Sequence, residues 1–142
     1  MTRRAPAMLL LLAVACGHKG PPLAPELVRP ETPEKLTAYS TVKGVRLTWL
    51  RPDRYSGGRK MNDLGRFVVE RAEPGPTPTF SILTEITLDD RYRFRKERSF
   101  EWVDATAARG TRYLYRLTAL TLDNGRSDPA MVEILFAPKE SP

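Results

Sequence analysis

Val45-Arg46-Leu47-Thr48-Trp49 alternates apolar and polar residues without a break, and this two-residue period is what most limits the fold. Side chains on a strand point to opposite faces in turn, so Val45, Leu47 and Trp49 share one face. The same period, in short runs bounded by turn residues, returns at residues 36–39, 66–71, 80–86, 113–119 and 131–136. A shorter run at 99–103 has an ambiguous facing. Asn124-Gly125 marks a tight reversal, because that pair tolerates positive φ at low cost. No stretch sustains a helical period. Seven short strands separated by turns predict an all-β, two-sheet sandwich over residues 34–138, followed by a short tail at 139–142. About 100 residues bury enough apolar surface to fold without disulfides. The only cysteine, Cys16, lies outside that span.

What precedes the domain is of another kind. Arg3-Arg4 leads into an apolar core at 7–15, shorter than the roughly 20 residues of a spanning helix, so residues 1–15 read as a signal peptide. Two cleavage readings stand. Ala13 and Ala15 suit an ordinary signal peptidase, which would leave a free thiol on a secreted protein. Ala13-Val14-Ala15-Cys16 also resembles a bacterial lipobox, with Ala13 in place of the commoner leucine. The cysteine directly follows the small-residue pair and has no disulfide partner, and both facts favour lipidation. The resemblance implies a bacterial lipoprotein carrying a thioether-linked diacylglycerol and an acylated amino terminus on Cys16. Several chains matter because each buried methylene contributes only about 0.8 kcal/mol. Gly17 is not aspartate, which by the enterobacterial sorting rule implies outer-membrane retention, facing the periplasm.

Residues 16–33 contain Pro21, Pro22, Pro25, Pro30 and Pro33. They predict an extended polyproline spacer with a reach of up to about 50 Å. Its opening, Cys16-Gly17-His18-Lys19-Gly20-Pro21-Pro22, resembles the start of very small lipoproteins associated with lipopolysaccharide export. His18 is the sole histidine. One imidazole and a thioether sulfur are too few ligands for a metal, so no metal or other cofactor is expected beyond the acyl chains.

The domain itself, over residues 34–138, resembles a fibronectin type III module. The match is carried by Leu47-x-Trp49-x-x-Pro52, Phe67-x-Val69, Gly110-x-x-Tyr113-x-Tyr115-x-Leu117-x-Ala119 and Gly125-x-Ser127. The resemblance implies a seven-stranded immunoglobulin-like sandwich with Trp49, Tyr113, Tyr115 and Leu117 in its core. Trp49 fills the centre, and Tyr113 is the corner tyrosine bonding back to upstream backbone. Two departures stand out. Ala107-Ala108-Arg109-Gly110 lacks the leucine and proline common before that glycine, and the connection between Pro52 and Leu64 is long. No Arg-Gly-Asp triplet supports integrin-type recognition.

Two basic stretches are candidates for binding. In Arg91-Tyr92-Arg93-Phe94-Arg95-Lys96-Glu97-Arg98, an extended chain would set Arg91, Arg93 and Arg95 on one face and Tyr92 and Phe94 on the other. That comb suits an acidic envelope polymer or headgroups, since arginine's fork bonds two phosphate oxygens at once. The competing reading is an edge strand whose charges block aggregation. The loop Arg51-Pro52-Asp53-Arg54-Tyr55-Ser56-Gly57-Gly58-Arg59-Lys60 is expected to be mobile, with Arg54, Arg59 and Lys60 available. Its Gly-Gly lacks the strand-to-helix context of a phosphate loop. The turn at residues 123–128 lacks the ligand spacing of a calcium loop. Trp102 stays open between core and sugar platform.

A catalytic site is not expected: His18 sits on the tether and Cys16 is taken up by lipid. Asp89-Asp90 would point to opposite faces of a strand. The net charge of +6, or +4 once Arg3 and Arg4 leave with the leader, is too small to argue for nucleic acid. Two functions remain. The first is a membrane-anchored periplasmic lipoprotein presenting the module to an unknown envelope protein. The second is a binder of acidic envelope polymer or carbohydrate through residues 91–98.

Overall fold

A computed structural model describes residues 20–139. The leader, Cys16 and His18 lie outside them. The alternation becomes pairing in seven strands: β1 (Glu34–Thr41), β2 (Gly44–Leu50), β3 (Leu64–Ala72), β4 (Ser81–Thr87), β5 (Ser99–Asp104), β6 (Arg112–Thr121) and β7 (Ala130–Leu135). Each predicted run falls on one of them, with ends shifted by up to a few residues. They form two antiparallel sheets, a three-stranded one ordered β1-β2-β5 and a four-stranded one ordered β4-β3-β6-β7.

Between the sheets lie Val45, Leu47 and Trp49 from β2, Phe67 and Val69 from β3, and Tyr113, Tyr115, Leu117 and Ala119 from β6. Trp49 is at the centre. Phe67 meets it edge-on at 5.4 Å, and Phe100 stacks on it at 6.0 Å with 16° between the planes. Burying one such side chain contributes about 1.5–3 kcal/mol. The indole Nε1 is buried without an acceptor among the described residues, a cost of about 1–3 kcal/mol that the ring contacts must offset. Register also settles the facing of β5: Phe100 lies opposite Trp49 and Trp102 opposite Leu47. Directly paired residues share a face, so Trp102 turns inward and packs, half-buried, on the core. It is not part of an outward sugar platform.

The strands give the sandwich two distinct ends. At one, the turns at 42–43, 73–80 and 105–111 meet. Here Asp104, only 1% exposed, accepts from Arg71 Nη1 (2.6 Å), the Tyr115 hydroxyl (2.7 Å) and both the backbone N–H and hydroxyl of Thr106 (3.0 and 2.7 Å). Arg71 comes from one sheet and Asp104 from the other, so the network bolts the two together. Close by, the Tyr113 hydroxyl accepts from the Ala108 backbone N–H at 2.9 Å, despite the altered residues before Gly110. Gly110, at φ +78°, makes the turn that allows it.

The other end gathers residues 51–63, 88–98 and 122–129, together with the chain entering β1. Asn124 takes the left-handed conformation of the reversal, at φ 65°. The proline-rich entry departs from expectation. Pro25–Val28 form a single 3₁₀ turn, Pro30 and Pro33 are buried, and Arg29 reaches Asp128 through two hydrogen bonds of 3.0 and 3.3 Å. Residues 27–31 also run alongside the long loop: Gly57 N–H donates to Leu27, Ser56 N–H to Arg29, and Glu31 N–H to Arg54. A proline-rich chain needs partners outside itself, and the long loop's backbone supplies them. From residue 25 onward the entry is docked strap, not free spacer.

Candidate functional site

The long loop after β2 was expected to be mobile and is instead folded. Tyr55 N–H donates to Arg59 at 2.9 Å, Met61 N–H donates to Asp53 at 2.8 Å, and Gly58 at φ +87° makes the bend. The Tyr55 hydroxyl donates to Asp63 at 2.6 Å. Burial, then this bond, raises its pKa to about 12. The connection is long because it builds a small hairpin-like lobe that carries the strap.

The second basic stretch is not extended. Asp90–Arg93 form one helical turn, and Asp89 caps it by accepting from the Tyr92 N–H at 3.1 Å. An aspartate cap, an acid in the first turn and arginines in the last suit a helical turn better than a strand. This overturns the comb. Arg91 is 91% exposed, with Asp89 at 4.0 Å. Arg93 turns inward, where Nε donates to the Leu64 carbonyl at 2.9 Å, Nη2 to the Leu88 carbonyl at 3.0 Å, and Nη1 to Asp90. It fastens the turn to the sandwich. Asp89 and Asp90 are thereby a cap and an ion-pair partner rather than residues on two faces of a strand.

What the fold does bring together is the two basic stretches. A hollow of about 400 Å³ is lined by Arg51, Lys60, Arg93, Arg95, Lys96 and Arg98, with Asp53 the one carboxylate on its wall. Of the residues expected to bind, Lys60, Arg93, Arg95 and Lys96 meet here. Arg91, Arg54 and Arg59 do not: Arg54 donates to the Gly58 carbonyl at 2.9 Å, and Arg59 lies 5.5 Å from the Tyr55 ring.

Arg51 and Arg98, from the ends of the same two stretches, complete the hollow. Leu50 pairs with Ser99 at the end of β2 and β5, so Arg51 and Arg98 continue that pairing one step beyond the strands. Arg51 N–H donates to the Arg98 carbonyl at 2.8 Å, and Arg98 Nε returns a bond to the Arg51 carbonyl at 2.7 Å. The signal was two basic residues flanking strands that must pair, and it becomes legible only once the pairing is known. Arg51 is 7% exposed. Its Nη2 donates to the Arg95 carbonyl at 2.7 Å, while its Nε is buried without an acceptor. Burial lowers its pKa from the usual arginine value, the neighbouring Arg98 charge lowers it further, and Asp53 only partly opposes them.

A second surface lies on the outer face of the four-stranded sheet. Ile82, Glu70, Arg116 and Met131 pair in one row across β4, β3, β6 and β7. Arg116 bonds both Glu70 oxygens at 2.8 Å and lies 3.9 Å from the Phe80 ring. That hydrogen bond, opposed by burial, holds the Glu70 carboxyl below its usual range. Ile82 and Met131, at the ends of that row, stay 61% and 48% exposed, and Leu135, further along β7, stays 45% exposed.

The β1-β2-β5 and β4-β3-β6-β7 sheets, with Tyr113 turned back to Ala108, define a fibronectin type III fold. Solved structures of that fold superpose on the chain. The twitchin kinase region from C. elegans matches 80% of this chain at 17% identity and TM-score 0.55, although the chain spans only 18% of that protein. The sixth fibronectin type III domain of human fibronectin type III domain containing protein 3 matches 89% of this chain and 97% of its own length, at 15% identity and TM-score 0.50. A human fourth fibronectin type III domain matches 92% and 93%, at 15% identity and TM-score 0.52. At such identities the likeness is one of fold. No family model and no curated protein matches the sequence.

Proposed function

We propose that this chain is a lipid-anchored lipoprotein of the bacterial envelope, held in the outer membrane through acylated Cys16, that presents its fibronectin type III module to a protein partner in the periplasm. The observation that supports this most is where the chain enters the module. The strap enters the module at one end of the sandwich, and the described residues leave the outer face of the four-stranded sheet uncovered. Pro25 lies nine residue steps after Cys16. Fully extended they span roughly 28 Å at about 3.1 Å per residue, so an anchor would hold the module close to the membrane with its loop end inward. The face around Ile82, Met131 and Leu135 then stands along the side of the module, open to a partner. It joins exposed apolar groups to a satisfied ion pair, the mixture found where interfaces form.

The anchor and the partner are tested separately. Radiolabelled palmitate is expected on the wild-type chain and absent from Cys16→Ser, and label persisting on that variant would sink the anchor. For the partner, crosslinking in intact envelopes should give a defined adduct that Met131→Asp removes while the module stays folded. An adduct indifferent to Met131→Asp and Ile82→Asp would exclude this face.

A further inference from the structure

We propose that the basic hollow at the loop end is a binding site for a phosphate group, with the Arg51 guanidinium at its floor and Arg95, Lys96 and Lys60 at its rim. The reason is an imbalance of charge that the chain does not correct. Arg51 is more than nine-tenths buried and forms no ion pair among the described residues. Among the described residues its guanidinium makes a single hydrogen bond, to a carbonyl, and its Nε has no acceptor. Asp53, the one carboxylate on the wall, opposes the cost of burying that charge only in part, and chains normally pair a buried charge directly. The nearby carboxylates are shared among several cations, with Glu97 beside the rim residue Arg95. Glu34 accepts from Arg98 at 2.8 Å, and Asp53 sits 4.0 Å from that same arginine. Lys60, Arg95 and Lys96 are exposed at the mouth, and none has an ion-pair partner among the described residues.

An anion is the missing component, and the donors favour a particular kind. Guanidinium forks match oxyanions with several oxygens, and lysines add charge without demanding direction. A tetrahedral phosphate can serve Arg51 and two rim cations with separate oxygens. About 400 Å³ holds the phosphate and part of what carries it. Phe94, 64% exposed on the same rim, gives the carrier an apolar surface. The site stands on the domain alone. Only a supply of phosphate from membrane headgroups rests on the anchored reading.

The test uses the full chain carrying Cys16→Ser, so that no acyl chain contributes to binding. Inorganic phosphate is titrated calorimetrically, and vesicles of phosphatidylcholine with and without phosphatidylglycerol are tested by co-sedimentation. Saturable phosphate binding is expected. Arg95→Gln with Lys96→Gln should weaken it about tenfold or more, as loss of charged hydrogen bonds does, while Arg91→Gln, outside the hollow, leaves it unchanged. Arg51→Lys, included if its circular dichroism and urea midpoint match the parent, should weaken it too by removing the fork. Phosphate binding without vesicle binding supports the site with a soluble phosphate as ligand; added binding to phosphatidylglycerol vesicles supports it with a headgroup. No saturable phosphate binding, or equal weakening by Arg91→Gln, overturns it. Palmitate labelling reads Cys16 alone, so either idea can fail without the other.

Discussion

Asp104 receives four hydrogen bonds in a site almost closed to water, and its carboxylate is what those donors require. Burial would raise its pKa, but the bonds from Thr106, Tyr115 and Arg71 together outweigh that and hold it below the usual value. Burial, then the bond to Asp104, drives the Tyr115 hydroxyl far above its ordinary pKa, so it stays a donor. Asp104→Ala leaves Arg71 and Tyr115 without their acceptor. Breaking a buried pair in this way costs about 3–5 kcal/mol, readable in urea denaturation. The pH dependence has a definite sign. A folded pKa below the unfolded value of about 3.9 gives stability that is present above that value and lost as pH falls through the folded one. Glu70, depressed by Arg116, acts in the same direction. Stability should therefore fall on acidification below about pH 4, and Asp104→Asn should flatten that fall while lowering the neutral-pH plateau.

Strands were the legible elements. Period two marked six of the seven, while the 99–103 run was legible as a strand without a facing. The core role of Trp49 and the corner role of Tyr113 came from the resemblance to fibronectin type III modules, and the packing of Trp49 and the Ala108–Tyr113 bond agree with it. Three features were not legible, each for a physical reason. Asp104 follows the end of the 99–103 run, and only the sheet-to-sheet approach of Arg71 gives it a role. The 91–98 stretch has the alternation of an extended comb, yet Asp89 caps a helical turn and Arg93 finds carbonyls of β3 and the β4 end. The candidate site needed Arg51 and Arg98 to be joined by strand pairing across 47 residues of sequence. The strap belongs to this class too, since proline content gives backbone geometry but not what the backbone touches. Removing residues 20–31 should lower the stability by about 2 kcal/mol, as a few backbone hydrogen bonds and the Arg29–Asp128 pair are lost. A free spacer would leave the urea midpoint where it was.

Across the whole molecule, the sandwich is joined along one seam by its outermost strands in sequence. β1 and β7 belong to different sheets but run side by side, and the Ser40 hydroxyl donates to the Leu135 carbonyl at 3.3 Å while accepting from the Ala137 N–H at 3.1 Å. β1 starts at the strap end and β7 finishes at the opposite end. A module held at its entry and pulled at its exit is therefore loaded along its length. The β1–β2 and β6–β7 ladders resist in shear, with every rung strained at once. Pulling on residues 50 and 99, which face each other at one end of a ladder, peels the same kind of bond one rung at a time. Single-molecule extension between residues 33 and 137 should break the module at a higher force than extension between 50 and 99. Ordered this way, the strands would meet tension between entry and exit in shear rather than by peeling.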